Sequence, residues 1–178
     1  MLGILLTLAC ACDQNDITLD QKHGPIFMPL NWFHNSDLTG RILLRDRNGN
    51  LRESGSIARQ CQTAQAGRQG VCQDRIHFNY AQRDLEDQFA WNVAHPRDKP
   101  DRLQLTDRRG QCDLTIVGRA ATGECSRILP LDEHRKVACR WKLLQLDGAP
   151  ATMLEQERCS SFGFFIGEQI IVWQKRQE

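Results

Sequence analysis

The 178-residue sequence contains none of the short motifs that mark the common catalytic sites. It has no G-x-S-x-G turn for a nucleophilic serine, no phosphate-binding or dinucleotide-binding glycine loop and no H-E-x-x-H zinc motif. Catalytic groups can assemble from distant parts of a chain, so this lack makes an enzyme a lower-ranked hypothesis without excluding one. We therefore expect no catalytic residues and no cofactor.

The sequence also lacks an excess of charge of either sign, because its net charge at neutral pH is +1. A nearly neutral chain has no general attraction to nucleic acid, so we expect no nucleic-acid partner. Lysine is scarce, since 18 of the 23 cationic residues are arginine. Arginine binds carboxylates through two hydrogen bonds and is common in protein interfaces, although genomic base composition is the simpler explanation of the bias.

The amino terminus holds a short apolar run, residues 2–9 (LGILLTLA), which is too short to span a bilayer as a helix. The run ends at Cys10 and Cys12, and a polar stretch, residues 13–24, follows directly. This order resembles the bacterial lipoprotein signal, except that no Lys or Arg precedes the apolar run. The resemblance implies cleavage before a cysteine, acylation of that cysteine and lasting membrane anchorage by several acyl chains. The alternative is a buried amino-terminal strand or helix of a cytosolic protein.

Cysteine parity favours Cys12 over Cys10 as the acylated residue. Eight cysteines, less one lost with the signal and one used as the anchor, leave six that can pair completely. Asp13 would then follow the anchor, an arrangement that resembles the inner-membrane retention signal of enteric-type bacteria. Anchorage at Cys10 would favour the outer membrane instead. In both cases the resemblance implies a location on the periplasmic side of a bacterial membrane.

The six remaining cysteines show no C-x-x-C pair of the kind that structural zinc sites use. An exported chain meets an oxidising environment, so disulfide bonds are the better interpretation. Sequence alone leaves the connectivity open, but pairing along the chain would close short loops and hairpins. That hypothesis joins Cys61 to Cys72, Cys112 to Cys125 and Cys139 to Cys159.

The pattern of short apolar runs and turn residues predicts a mainly β domain. We expect a signal peptide at residues 1–11, a lipidated tether at residues 12–24 and a single domain at residues 25–178. About eight to ten short strands, with one or two short helices, would form a disulfide-braced sandwich or small barrel. Residues 44–50 and 105–111 share the pattern L-x-D-R-x-G-N/Q, and both predict a hairpin.

Three segments are less regular. Residues 83–93 suggest a short helical turn followed by a strand, and residues 151–158 suggest one short helix. The apolar segment at residues 162–174 predicts one or two central strands, broken near Gly167. Three tryptophans lie in strand-like runs and are expected in the core: Trp91, Trp141 and Trp173.

The histidines give weak signals. Residues 75–80 alternate, which places Ile76, Phe78 and Tyr80 on one face and His77 on the other. His77 could pair with a thiol, but an exposed position on a strand is the simpler interpretation. Three polar residues follow Pro130 and could form a weak metal site: Asp132, Glu133 and His134. A solvated loop is the simpler interpretation, so we expect no metal there.

A candidate contact for a partner lies where two large rings stand beside a polar loop. Paired rings at a loop can anchor a protein partner, although a division of the two rings between the core and a covering loop is the simpler interpretation. The surrounding segment, residues 29–50, resembles the opening of small lipoproteins that act as immunity proteins against type VI secretion phospholipases. The residues singled out for partner binding are Trp32, Phe33, His34, Asn35 and Asp37.

Three functional hypotheses follow from these observations. The first is an envelope lipoprotein that binds and inhibits a protein, of immunity or inhibitor type, with a secreted lipase toxin or an envelope hydrolase as the partner. The second is a structural or pilotin-type subunit of an envelope or secretion assembly. The third is a hydrolase. The resemblance adds the membrane, contacted through the lipid anchor, to the expected partners.

Overall fold

The computed structural model describes residues 32–64, 68–94, 101–129, 132–146 and 152–175. Both candidate lipidation sites, Cys10 and Cys12, and the predicted signal peptide and tether lie outside the described residues. The described chain forms ten strands: β1 (Asp37–Asp46), β2 (Leu51–Ala64), β3 (Gln69–Phe78), β4 (Arg83–Ala94), β5 (Arg102–Asp107), β6 (Gly110–Val117), β7 (Ala120–Leu129), β8 (Asp132–Leu146), β9 (Thr152–Ser161) and β10 (Phe164–Lys175).

The ten strands form one closed barrel in which each strand pairs antiparallel with its neighbours in sequence. The barrel closes where β1 pairs with β10, in a register that runs from Leu38 opposite Lys175 to Asp46 opposite Gly167. This confirms the prediction of a mainly β fold, and it selects the small barrel over the sandwich. Closure also removes the unpaired edges that an open sheet would expose.

Side chains alternate between the barrel interior and the outer surface, as the pleat of a strand requires. In β3 the inward side chains of Ile76 and Phe78 are buried, whereas His77 between them is exposed. Tyr80 departs from the predicted alternation, because it lies in the turn after β3 and is exposed. The three tryptophans expected in the core are all buried, which confirms that prediction: Trp91, Trp141 and Trp173.

Both helices expected from the less regular segments are wrong. Residues 83–93 belong to the continuous strand β4, and residues 151–158 overlap β9 rather than a helix. In β9 the inward positions include Glu155 and Glu157, so its interior face does not look apolar in the sequence. Residues 164–174 lie in the single strand β10, whose register against β9 shifts between Phe165 and Gly167.

The two hairpins predicted from the shared L-x-D-R-x-G pattern are confirmed. Asp46 ends β1, and its Oδ1 accepts hydrogen bonds from the backbone N–H groups of Asn48 and Asn50. Asp107 ends β5, and its Oδ1 accepts hydrogen bonds from the N–H groups of Arg109 and Gly110. In both turns the aspartate takes the place of backbone acceptors that the reversing chain cannot supply.

The three predicted disulfide pairings are confirmed. Each bond joins two residues that lie directly opposite each other on adjacent strands, with Cα atoms 4.0 to 4.1 Å apart. Each bond therefore braces one antiparallel pair and closes a loop of 11 to 20 residues, which contributes about 3 kcal/mol in the loop-closure model. The pairs are Cys61–Cys72, Cys112–Cys125 and Cys139–Cys159.

Four glycines of the barrel wall each lie directly opposite a buried aromatic residue on the next strand. A Cβ added at Gly70 would stand 2.2 Å from the carbonyl oxygen of Gln62 and 2.8 Å from the Trp91 ring. Because glycine has no side chain, the aromatic ring can lie against its backbone, and the strands can coil tightly enough to close the barrel. The four pairs are Gly40–Trp173, Gly55–Phe78, Gly70–Trp91 and Gly123–Trp141.

The two ends of the barrel differ. At the plugged end, where β1 begins and β10 ends, the helical turn at Trp32 and Phe33 packs into the core. We call the opposite end, which carries the turns at residues 47–50, 79–82, 108–109 and 162–163, the distal end. Within the described ranges, no helix has the length and apolar character needed to cross a bilayer.

Candidate binding face

The rings proposed for partner binding lie inside the protein, which corrects that prediction. Trp32 and Phe33 are each 1% exposed, and Phe33 packs against Phe89 and Trp91 with ring centroids 6.2 and 6.0 Å away. The alternative weighed from the sequence, in which the two rings divide between the core and a covering loop, is closer, but both rings belong to the core. The two rings close the barrel and offer no surface to a partner.

The polar residues after these rings fasten the plug. Asn35 has a positive φ of 40°, and its Oδ1 accepts a hydrogen bond from the N–H of Thr63 at 3.0 Å. The N–H of Asn35 donates in return to Oγ1 of Thr63 at 3.2 Å. Ser36 Oγ donates to the carbonyl oxygen of Trp32 at 2.6 Å. His34 and Asp37 are exposed beside this contact, so they remain accessible.

The barrel interior is filled, and its charged residues pair with one another. Arg59 donates from Nε and Nη2 to Asp74 at 2.7 and 2.8 Å and lies 3.3 Å from Glu155. Its guanidinium also stands over the rings of Trp173 and Phe89, 4.2 and 4.6 Å from their centroids. The cavity beside this cluster is about 20 Å³, which is room for about one water molecule. A ligand of ordinary size does not fit there.

A second buried cluster lies nearer the distal end. Arg127 contacts Asp107 and lies 3.4 Å from Glu157, while Arg109 lies 2.6 Å from Asp87. These contacts pair a buried and a partly buried arginine with buried carboxylate side chains, which is how a protein interior accommodates charge. Glu157 also lies near Cys139 and Cys159, but those two sulfurs form a disulfide and so offer no thiolate to a metal.

Arg59 contacts two buried carboxylates, Asp74 and Glu155, and it balances the negative charge of Glu155 less fully. Burial raises the pKa of its carboxyl, and the charges of Asp74 and Glu157 raise it further, against the lowering effects of Arg59 and of the Trp173 hydrogen bond. Arg59 bonds Asp74 with two nitrogens and Glu155 with one, so its charge is largely committed to Asp74. Protonation of the Glu155 carboxyl is therefore more favourable than protonation of an exposed glutamate.

All three exposed aromatic side chains of the described residues stand on turns of the distal end. Tyr80 is 65% exposed in the turn between β3 and β4. Phe162 and Phe164, in and beside the turn between β9 and β10, are 90% and 76% exposed. Leu51, at the start of β2, is also exposed and belongs to the hairpin that lies between those two turns around the barrel. Three adjacent hairpins thus present apolar tips to solvent.

Buried and partly buried acidic groups hold two of these turns in place. Glu53 accepts hydrogen bonds at 2.9 Å from the N–H groups of Tyr80 and Ala81, which fixes the turn that carries the tyrosine. Burial alone would raise the pKa of the Glu53 carboxyl, but these N–H donors hold it below its usual value. The pKa of Asp46 is likewise lowered, since the N–H donors of its turn outweigh desolvation. The tips are therefore preorganised.

Arginines surround the aromatic tips. Six exposed arginines lie in or beside the distal turns, and exposed carboxylates of the same end include Asp84 and Glu86 on β4. Where one of these arginines pairs with a carboxylate, the carboxylate is the more buried partner, as in the Arg52–Asp46 pair, where the two side chains are 66% and 13% exposed. Among the described residues of this end, the exposed charged side chains are therefore mainly cationic. The six are Arg45, Arg47, Arg52, Arg83, Arg108 and Arg158.

A pocket of about 220 Å³ opens between the hairpin of β1 and β2 and the hairpin of β9 and β10. Its lining includes the apolar side chains of Leu44 and Ile166 and two exposed arginines, each paired with a carboxylate that also lines the pocket: Arg45 with Glu168, and Arg52 with Asp46. The displacement of the β10 register between Phe165 and Gly167 lies at this site. We call the three hairpins with their tips and this pocket the distal face.

The sequence did not single out the tips of the distal face. Tyr80 looked like a core residue, because it continued the alternation of β3. The Phe162-Gly163 step resembled part of a buried strand, since apolar residues surround it. The signal that could have found it is the glycine, which is typical of a two-residue hairpin turn between two strands.

The histidines contribute one further arrangement. His77 Nδ1 lies 2.8 Å from Asp84 Oδ1, and Ser56 lies directly opposite His77 on the other neighbouring strand. All three side chains are exposed and line a groove of about 510 Å³ on the outer wall. His77 is thus on an exposed strand surface, as expected. All six cysteines of the described residues form disulfides, so none of them offers a thiol to His77.

Neither a protein-family model nor a curated protein matches this chain.

Proposed function

We propose that this protein is an envelope lipoprotein that binds and blocks a protein partner through its distal face. The observation that carries the proposal is the clustering of every described exposed aromatic side chain on turns of one end. Exposed aromatic residues and arginines dominate the binding energy of protein interfaces. The turns are fixed by internal hydrogen bonds, so a partner would meet a surface that needs little ordering.

The placement of the termini supports a tethered arrangement. The described chain begins at Trp32, at the plugged end, so a lipid anchor on Cys12 or Cys10 would join the barrel at that end. The distal face would then point away from the membrane, towards a soluble partner in the periplasm. Three disulfides are in keeping with an oxidising compartment. A filled interior argues for a role carried out by the surface, by steric occlusion.

The test compares two triple variants of the full chain. The face variant changes Leu51, Tyr80 and Phe164 to serine, and the control variant changes three other exposed apolar residues to serine: Val71, Val117 and Val172. We expect crosslinked envelope extracts to yield the same partner with the wild type and the control, and no partner with the face variant. Activity of the recovered partner should fall when wild-type protein is added. Equal recovery by the face variant would overturn the proposal.

A hydrolase is the second candidate, and one specific observation favours it. Ser56, His77 and Asp84 lie side by side on three adjacent strands, in the order in which a nucleophile, a general base and an orienting carboxylate act. A fluorophosphonate probe should label Ser56 in the wild type and not after His77→Ala, while Ser126, another exposed strand serine, serves as the matched control. Absence of labelling at Ser56 would remove this candidate.

A further inference from the structure

The turn between β9 and β10 contains a residue that is unfavourable for the fold. Ser161 pairs with Phe164, so Phe162 and Gly163 form a two-residue turn with φ values of 50° and 81°. Two positive φ values define a type I′ turn, for which Asn-Gly is the preferred sequence. Gly163 meets this requirement without strain, whereas a bulky side chain in the left-handed region costs conformational energy.

Burial does not offset this cost, because Phe162 is 90% exposed. A side chain that is this exposed gains little hydrophobic stabilisation from the fold. Phe162 therefore carries two disadvantages for folding at one position. Backbone outliers of this kind concentrate at functional sites, and the surrounding structure holds them in place there.

The surroundings of Phe162 indicate the chemistry of what it meets. Phe164 stands beside it, and Arg158 on β9 packs over the Phe165 ring with its guanidinium 5.0 Å from the ring centroid. Across the pocket, Arg45 and Arg52 belong to the neighbouring hairpin and are exposed. An aromatic tip flanked by arginines is complementary to an apolar pocket whose rim carries carboxylates.

We propose that Phe162 is an inserted anchor, which enters an apolar pocket on the protein partner while the adjacent arginines pair with aspartates or glutamates at the rim of that pocket. This inference rests on the proposed binding function and names the residue and the partner chemistry that it requires. An anionic bilayer is the other surface that aromatic tips and cations can meet. A protein is favoured, because a tether at the plugged end would direct the distal face away from the membrane.

The first experiment separates folding from binding at this one position. Phe162→Asn creates the preferred Asn-Gly turn, so we expect the thermal midpoint to rise by about 2 °C. The same variant should bind the crosslinked partner roughly 30-fold more weakly, the effect of losing one strong interface anchor. Val117→Asn, which changes an exposed apolar residue at the plugged end, should leave binding unchanged. Unchanged affinity of Phe162→Asn would overturn the inference.

The second experiment places the photoreactive amino acid p-benzoylphenylalanine at position 162, 80 or 117 of the full chain in living cells. We expect protein adducts from positions 162 and 80, none from 117, and a crosslinked site on the partner that is apolar and bordered by acidic residues. Adducts from position 80 alone would overturn the inference while leaving the distal face in place. Phospholipid adducts from position 162 would replace the protein by a membrane, and no adduct from either distal position would overturn the proposed function as well.

Discussion

Arg59 shows how a single buried side chain organises the interior of this barrel. Its guanidinium lies over the Trp173 and Phe89 rings and donates two hydrogen bonds to Asp74. The delocalised cation can serve rings and carboxylates together, because its flat faces stack on the rings while its edge donates hydrogen bonds. Burial alone would lower the pKa of Arg59, but Asp74 and Glu155 raise it, so the group is charged at every accessible pH.

Removal of this cation should be costly. We expect Arg59→Ala to lower the free energy of unfolding by about 3 to 5 kcal/mol, because Asp74 and Glu155 would be left buried without their counterion. Arg75→Ala is the matched control on the outer surface, where its partner Glu86 is equally exposed, and it should change stability by less than about 0.5 kcal/mol. Urea unfolding of both variants with the disulfides intact measures the difference. Similar losses in the two variants would contradict this account of Arg59.

The raised pKa of Glu155 predicts a pH dependence with a definite sign. Below pH 4.5, the ordinary value for glutamate, the group is protonated in both the folded and the unfolded state and contributes nothing. As the pH rises above 4.5, the unfolded chain loses this proton first, so the folded state is progressively penalised. Glu155→Gln removes the titration and should therefore gain stability relative to the wild type between about pH 4.5 and 7.

Urea unfolding of wild-type and Glu155→Gln protein across that pH range provides the measurement. Glutamine can still accept the hydrogen bond that Trp173 Nε1 donates to Glu155 at 2.8 Å. Because glutamine does not titrate, the part of the stability difference that changes with pH reports on the Glu155 proton. A stability difference that does not change with pH would show that Glu155 has an ordinary pKa in the folded protein.

At the scale of elements, turns of similar sequence make different contributions to the stability of the fold. Asp46 and Asp107 occupy the same position in the repeated pattern, and the Oδ1 of each accepts two backbone hydrogen bonds from the residues that follow it. Asp46 otherwise contacts the exposed Arg52, whereas Asp107 also contacts the buried Arg127. The short sequence pattern fixes the turn, while the position of each turn relative to the interior decides what else depends on it.

This difference can be tested with matched substitutions. We expect Asp107→Ala to cost about 3 kcal/mol, because it removes a turn acceptor and one counterion of a buried arginine. Asp46→Ala removes the equivalent turn acceptor at the surface and should cost clearly less. Thermal unfolding of the two variants gives the ranking directly, and a larger loss for Asp46→Ala would reverse the assignment of their roles.

At the scale of the whole molecule, closure of the barrel depends on pairs of glycine and aromatic residues in its wall. The large rings fill the interior only because the residue opposite each of them has no side chain. We expect Gly70→Ala to destabilise the fold by at least about 2 kcal/mol, since its Cβ would overlap the Gln62 carbonyl oxygen and the Trp91 ring. Val71→Ala, the exposed neighbour, should have little effect.

The same variants can be compared by near-ultraviolet circular dichroism, because Trp91 is buried in the core and reports on its packing. A shift of the tryptophan signal in Gly70→Ala and none in Val71→Ala is the expected result. Full retention of stability in Gly70→Ala would mean that the wall can yield at this position.

The sequence determined the class of fold and the two aspartate turns, because alternation and turn chemistry act over a few residues. It left the disulfide connectivity open, and the structure confirms the pairing along the chain that closes short loops. The helix predicted within β9 is wrong, because Glu155 and Glu157 face an interior that is charged as well as apolar. Only the tertiary structure decided that Trp32 and Phe33 plug the barrel. It also decided that Tyr80, Phe162 and Phe164 lie at one end of the barrel. These outcomes depend on which strands become neighbours when the barrel closes, and closure joins residues that are far apart in the chain.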